Sequence, residues 1–558
     1  MARIDSKVLF LTTSPRTPSK MIPEISLLNN NFKGKRWCHE TQVGFMEVLK
    51  EENFFDGEGK NNPAFSARDR INRGPQTLGF VKLVPYIDLT PAGAALISSK
   101  RTEEVFLRQL LKFQIPSPYH KPSQKAANFC VKPYLEMFRL IRHFGTLRFD
   151  ELKIFALQLT DYHKFDIIVD KIEKFRLAKT KNIGSYKKFV GEYFDKELRE
   201  IYSEELSSGN ISTRESNDVS VAKFLQTKGR NMRDYADACF RYLRATGIVN
   251  VSHVGKSLSI IPERLIDVDY FLQNTDREPC LVNDKFAYMN YLGSLSYPKL
   301  LTDNRINLLE KLKIEFPDVV IDNNSDIIQL KDLYNELLEY RKNDTLKRQI
   351  QELKDYKLYD DIQEKFHQIV DGSLYDASLM LEWNTWRAMT MLDGGDIKAN
   401  LKFDDFGFPI STAQGNMSDI VCDYGDFILS VEVTMASGQK QYEMEGEPVA
   451  RHLGKLKRSM NKPAYCLFIA PTINDACVAH FFMLHKMNLS FYGGRSVIIP
   501  LPLNIFQKMV EDSRKAKYIP QPEHVKKFFE YSNEIASSCD NERYWYDKVK
   551  LKALNWLE

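Results

Sequence analysis

Residues 415–452 read GNMSDIVCDYGDFILSVEVTMASGQKQYEMEGEPVARH, from Gly415 to His452, and the chain is organised around this stretch. Three of its carboxylates stand at equal intervals: Asp419, Glu432 and Glu445, each 13 residues from the next. Asp419 precedes a short apolar run. Glu432 interrupts the strand-like Phe427-Ile428-Leu429-Ser430-Val431-Glu432-Val433-Thr434. Alternation along a strand puts Ser430, Glu432 and Thr434 on one face and Leu429, Val431 and Val433 on the other. Asp423-Tyr424-Gly425-Asp426 reads as the turn of a hairpin over Ile420–Thr434, so Asp419 and Glu432 converge if they share a face. Glu445 falls at the start of a helix near Gln439–Met460, and His452, seven residues on, shares its face. Carboxylates with no balancing lysine in the strand repel one another, and a hard divalent cation relieves that repulsion. Asp419, Glu432 and Glu445 are therefore the candidate metal ligands, with Mg²⁺ the expected ion. A bound metal of this kind lowers the pKa of water and stabilises the leaving oxygen of a phosphodiester.

Working outward, the segments after 371 alternate between helix and strand. A helix is expected over Ala377–Leu392, carrying Glu382, Trp383 and Trp386. After the hairpin come the helix near Gln439–Met460, a strand over Tyr465–Ala470, a helix near Asn474–Met487, a strand over Ser496–Leu501, a helix near Leu503–Lys515 and an amphipathic tail near Asn541–Leu557. This is the pattern of an α/β domain, 371–558. Residues 301–370 are polar and helical in composition and read as a helical linker. A basic run, Arg451, Lys455, Lys457, Arg458 and Lys462, could line DNA beside the metal or form a solvated helix face.

Residues 1–300 read as a mostly helical region. Two basic clusters stand near its start: Ser14-Pro15-Arg16-Thr17-Pro18-Ser19-Lys20, and Ala64 to Gly74 with Arg68, Arg70 and Arg73. Arg16, Lys20, Arg68, Arg70 and Arg73 are candidates for contacts to phosphates or to guanine edges. Thr90 caps a short helix whose first residue is Pro91. Leu147–Phe155 has the rhythm of a helix opening a helix-turn-helix unit. Tyr235–Arg244 is an amphipathic helix stopped at Gly247, followed by Ile248–Val251 and Ser257–Ile261 as a hairpin around Gly255-Lys256. Helix then hairpin is how a winged helix reads, which makes Arg241 and Arg244 further candidates for DNA contact; Lys228, Arg230 and Arg233 precede them.

Composition sets outer bounds. The 558 residues are 43% hydrophobic and 27% charged, ordinary for a globular protein of several domains. No apolar run approaches the ~20 residues of a membrane span, and the N-terminus lacks a signal-peptide layout, so a cytoplasmic protein is expected. Eight cysteines without a CxxC pair indicate reduced thiols. The net charge of +4 hides an asymmetry. Residues 1–150 carry 23 Lys/Arg against 14 Asp/Glu, and residues 371–450 carry 4 against 14. A basic front and an acidic centre suit a chain that grips a polyanion with one part and collects cations with another.

The order acid, hairpin, acid, helix, strand resembles the PD-(D/E)xK nuclease fold. More specifically, the chain resembles the AlwI family of type IIS restriction endonucleases and their nicking relatives. The matching stretches are SPRTPSKMIPE (14–24), AFSARDR (64–70), LTPAG (89–93), GNMSDI (415–420), VEVTMASG (431–438), MEGEPVARH (444–452) and YCLFIAP (465–471). The resemblance implies Glu382, Asp419, Glu432 and Glu445 as active-site acids, with His452 nearby. It implies a multidomain α+β protein: an N-terminal DNA-recognition region with winged-helix-like units, a helical linker and a C-terminal PD-(D/E)xK-type domain. It implies a bacterial, Mg²⁺-dependent endonuclease that recognises a short asymmetric site in double-stranded DNA and cuts a few base pairs outside it. Cutting both strands then needs a transient homodimer or a small catalytic partner subunit. The alternatives are a strand-specific nicking enzyme or the large subunit of a heterodimeric one, a repair nuclease that reads DNA structure, and a non-enzymatic winged-helix regulator. One departure is local: Thr434 stands where the nuclease pattern has a lysine, leaving Glu445 or Lys440 to complete the site.

Overall fold

The structure is a computed structural model that describes every residue except 1, 53–61, 99–100, 214–215, 254–255, 323, 393–394, 405, 414–416 and 517–519. The chain divides into two compact units, Met1–Leu337 and Leu338–Glu558, with the division falling inside the helix Ile327–Lys354. All eight cysteines are free thiols. Among the described residues no helix is long and apolar enough to cross a membrane.

The second unit is built on a mixed five-stranded sheet. Its strand order is Ile498–Pro502, Ala464–Ala470, Ile428–Val433, Ile420–Asp423, Asp396–Ala399. The first three run parallel to one another, and Ile420–Asp423 is antiparallel to both of its neighbours. Parallel neighbours need helical crossovers, and these are Gln439–Met460 and Asp475–Lys486. Both faces of the sheet are covered. Leu429, Val431, Leu467, Ile469, Ile499 and Leu501 belong to one apolar core, shared with the helices Ala377–Leu392, Leu503–Lys515 and Pro522–Ser538. Ile428, Cys466, Phe468 and Ile498 belong to a second core, against the two crossover helices. The Ile428–Val433 strand is central, so the face that reads as polar in sequence is buried as well: Ser430 is 0% and Glu432 6% exposed.

The helices expected at Ala377–Leu392, Gln439–Met460 and Leu503–Lys515 are present with those limits. Three short strands between the first helix and the hairpin, Asp396–Ala399, Lys402–Phe403 and Pro409–Ser411, are not legible in the sequence. Each is only two to four residues long, too short for alternation to register.

The first unit is largely helical. Thr90 caps the helix Pro91–Ser98: its Oγ1 accepts from the Gly93 N–H at 3.0 Å and donates to the Gly79 carbonyl at 2.6 Å. A three-stranded antiparallel sheet, in the order Thr146–Arg148, Ser257–Ile260, Val249–Ser252, packs with the helices Pro133–Phe144, Phe149–Ile154 and Val221–Arg244. Leu147 and Arg148 are thus strand, and the helix expected from Leu147 begins at Phe149, once the Thr146–Arg148 strand has paired with Ser257–Ser259. Gly247 adopts a φ of +66° beyond the Val221–Arg244 helix, as its position suggests. Of the hairpin turn at Gly255-Lys256, Gly255 lies outside the described residues.

Candidate active site

The hairpin register sets the site. Ile420 pairs with Val431, which puts Asp419 opposite Glu432 and on the same face of the sheet. That face points toward the Gln439–Met460 helix, which carries Glu445 and His452 two turns apart. Three of the acids and the histidine are thereby gathered by one strand pair and one helix. Glu382 arrives from the buried helix Ala377–Leu392.

Each side chain has a fixed partner. The Asp419 Oδ2 accepts from the Val433 N–H at 2.8 Å. Glu432 Oε1 lies 3.1 Å from His452 Nδ1. Glu382 Oε2 accepts from the Ala413 N–H at 3.1 Å. Thr434, in the lysine position of the nuclease pattern, accepts from the Ala436 N–H at 3.1 Å, and its hydroxyl also holds Glu445. Lys440 is exposed at the start of the helix. Pro448 sits between Glu445 and His452 and removes one backbone N–H from that helix.

The electrostatics show four acids sharing one low-dielectric space. Burial pushes the carboxyls of Glu382, Asp419 and Glu432 well above the ordinary range, and that of Glu445 upward. The acids add to the effect on one another. Asp419 raises Glu382, Glu432 raises Asp419, and Glu445 raises both Asp419 and Glu432. Burial, followed by the nearby Arg451 and Lys455, lowers His452 to about 4, so its ring is neutral at pH 7. Acids buried together in this way are the donor chemistry a hard divalent ion satisfies. Asp419, Glu432 and Glu445 fit such an ion by donor type. Among the described residues, however, no three His, Cys, Asp or Glu side chains stand together as a ready-made cage.

Four of the five residues in the basic run are used structurally. Arg451 pairs with Glu447, Lys457 donates to the Arg495 carbonyl, Arg458 to the Phe491 carbonyl, and Lys462 pairs with Asp423. Ser418 and Thr434, which hold Glu432 and Glu445 by their hydroxyls, escape a reading built on acids. Their only signal in the sequence is adjacency to Asp419 and to the polar alternation of the strand.

In the first unit, the arginine and lysine candidates do not behave alike. Arg70 donates to the buried Glu24 carboxylate. Arg73 pairs with Asp69 at 2.6 Å, Arg16 with Asp234 at 2.9 Å, and Arg241 with Asp237 at 3.1 Å. Arg244 is 6% exposed, which removes it from any surface a duplex could touch in this arrangement. Lys20 and Arg68 are exposed, and among the described residues neither has an ion-pair partner.

Residues 76–509 match the family model described as AlwI restriction endonuclease. Among solved structures, the small subunit of the heterodimeric restriction endonuclease R.BspD6I is similar at 24% identity, over 37% of this chain and 95% of that one, with a TM-score of 0.27. The BpuJ1 endonuclease binding domain, solved with pyrene- and phenanthrene-modified DNA, is similar at 12% identity over 49% of this chain and 92% of that one, with a TM-score of 0.31. No curated protein matches the chain. The family match covers most of the sequence, both the hairpin acids and much of the first unit, and the chain belongs to the AlwI restriction endonuclease family.

Proposed function

We propose that the protein is a type IIS restriction endonuclease in which residues 1–300 read a short asymmetric site in double-stranded DNA and residues 371–558 hydrolyse phosphodiester bonds a few base pairs away, with residues 301–370 as the helical linker. The observation that carries the catalytic half is the pairing of Asp419 with Glu432 across the hairpin, faced by Glu445 and His452 on the next helix and joined by Glu382. The order helix, antiparallel strands, crossover helix, parallel strand supports a PD-(D/E)xK-type domain. In the first unit, the order Pro133–Phe144, Thr146–Arg148, Phe149–Ile154, Val221–Arg244, Val249–Ser252, Ser257–Ile260 supports a winged helix with an insertion before its third helix.

Asp419, Glu432 and Glu445 would hold Mg²⁺. Bound there, the ion would polarise the phosphodiester and make a water acidic enough to attack it at neutral pH. The chain's own groups do the rest. The Val433 N–H and the hydroxyls of Ser418 and Thr434 fix the acids. Neutral His452 orients Glu432 through Nδ1. Glu382, whose carboxyl burial and Asp419 push upward, can pass a proton. Thr434 gives no base, so water activation falls to the acids and the ion. A single site of this kind cuts one strand. Double-strand cleavage then requires a second catalytic domain from a transient homodimer or a small partner subunit, and without one the protein nicks. Its place of work is the bacterial cytoplasm, where the DNA is.

Supercoiled plasmid incubated with Mg²⁺ tests this. Wild type converts it to nicked or linear product with ends at a fixed offset from one sequence, and Glu432→Ala loses on the order of a thousandfold or more in rate. Undiminished cutting by Glu432→Ala would overturn the catalytic assignment. Ends scattered without a fixed offset would point instead to a nuclease that reads DNA structure.

A further inference from the structure

The helices Tyr186–Ile201 and Val221–Arg244 enclose an open groove of about 610 Å³ in the first unit. It is apolar at its floor, where the Phe194 and Leu198 side chains lie against Gly229; a Cβ there would sit 3.1 Å from the Phe194 ring. Its walls are basic: Lys153, Arg199, Arg230 and Arg233 face a single carboxylate, Asp195. Two of these cations are already committed. Lys153 is paired with Asp150 at 3.1 Å and lies 4.5 Å from the centre of the Phe194 ring, and Arg199 is paired with Asp195 at 2.7 Å. Arg230 and Arg233 are exposed, and among the described residues neither makes an ion pair or a hydrogen bond. They lie three residues apart, so both project from one side of the helix.

We infer that this groove is a contact site for the sugar–phosphate backbone of double-stranded DNA, with Arg230 and Arg233 as the phosphate-binding groups. The inference rests on the DNA-reading role proposed for the first unit and names residues outside Arg241 and Arg244. Charge complementarity selects the occupant. Two guanidiniums with no ion pair among the described residues, at the rim of a cationic, open trough, suit a repeating anion, and guanidinium binds phosphate oxygens two at a time. Lys153 and Arg199, neutralised locally, hold the walls in place and add little field. The contact positions the duplex and reads no base.

The test uses full-length protein, a labelled duplex of random sequence and fluorescence anisotropy over about 50–200 mM KCl. For Arg230→Ala combined with Arg233→Ala, the plot of log K against log salt becomes shallower by about 2, and affinity at the low-salt end falls on the order of tenfold. Gly191→Glu is the independent variant. A Cβ at Gly191 meets nothing within 4 Å, so the substitution places a carboxylate in the groove without disturbing the helix, and binding weakens in the same direction. Unchanged affinity and slope in the double alanine variant overturn the inference. So does normal binding by Gly191→Glu beside a weakened double variant, which would place the two arginines' contacts outside the groove. Wild type failing to bind duplex at any salt removes the DNA-reading role itself, a result distinct from either of these.

Discussion

Arg70 and Arg68 stand two positions apart in one basic cluster, yet the fold gives them different work. Arg70 closes on Glu24, a residue 46 positions earlier and 3% exposed, whose carboxyl is raised by burial and lowered again by the guanidinium. Removing the arginine leaves a buried acid without its partner, which typically costs about 3–5 kcal/mol. Arg70→Ala should therefore lower the urea midpoint sharply. Arg68 projects into solvent, so Arg68→Ala should leave the unfolding free energy within about 0.5 kcal/mol and instead weaken DNA binding by roughly 1–3 kcal/mol if it reads a base. Equal stability of the two variants would contradict the assignment. Nothing local in the sequence separates the two arginines, because Glu24 meets Arg70 only through the packing of Met21–Phe32 with its neighbours. The same holds for Arg244. It reads as one rung of a basic helix face, but it lies on the side of a 24-residue helix that faces the core. By contrast, Asp419 and Glu432 are legible, since a tight turn and a period of two dictate their register with no help from distant elements.

At the scale of elements, the LTPAG stretch shows how a motif can be structural. Thr90 and Pro91 start the Pro91–Ser98 helix, and Gly93 in its first turn passes the Phe80 carbonyl so closely that an added Cβ would lie 1.9 Å from the oxygen. The obstacle is backbone held by Thr90 itself, whose N–H donates to that carbonyl at 3.1 Å, so it cannot step aside cheaply. Gly93→Ala should lower stability by at least about 2–3 kcal/mol, despite the better helix propensity of alanine. A melting temperature equal to wild type would show that the strand Val81–Lys82 and its approach can move. The hairpin and helix at the active site behave in the complementary way. Their limits follow from alternation, turn residues and apolar spacing, and the structure reproduces them. The edge strand Asp396–Ala399 does not follow, because its pairing with Ile420–Asp423 is a tertiary event that four residues of polar sequence cannot announce. Glu382 stands between these cases: its helix is plain in the sequence, but its approach to Asp419 depends on how that helix packs on the sheet, and only the family resemblance selects it.

For the molecule as a whole, each unit carries a buried histidine kept neutral, and this gives the protein a pH limit independent of catalysis. His120, in the first unit, is 2% exposed and packed against the Phe10 and Phe113 rings; burial lowers it from 6.5 to about 4. His485, in the second, is 1% exposed, contacts Trp545 and shares Nε2 with the Ile498 backbone; burial lowers it to about 4 as well. Between pH 6.5 and 4 the unfolded chain binds a proton at each of these rings that the folded chain refuses. Each ring therefore favours unfolding as the pH falls across that window. Each ring accounts for up to about 3 kcal/mol over the full interval. Asp303 works in a lower range. Arg108 and Lys331 hold it down to about 2, so its contribution is intact above 3.8 and disappears as the pH drops toward 2. Urea unfolding at pH 7.5, 6, 5 and 4 should show each ring's contribution as a difference between wild type and the matching variant that develops between about pH 6.5 and 4, because the raised acids of the active site act with the opposite sign on the wild-type total. His120→Gln and His485→Gln should each remove one ring's contribution, and because the two rings are in separate units their effects should add. A difference between wild type and variant that stays level from pH 7 to 4.5 would mean that the rings are protonated in the folded state and that their cavities admit water.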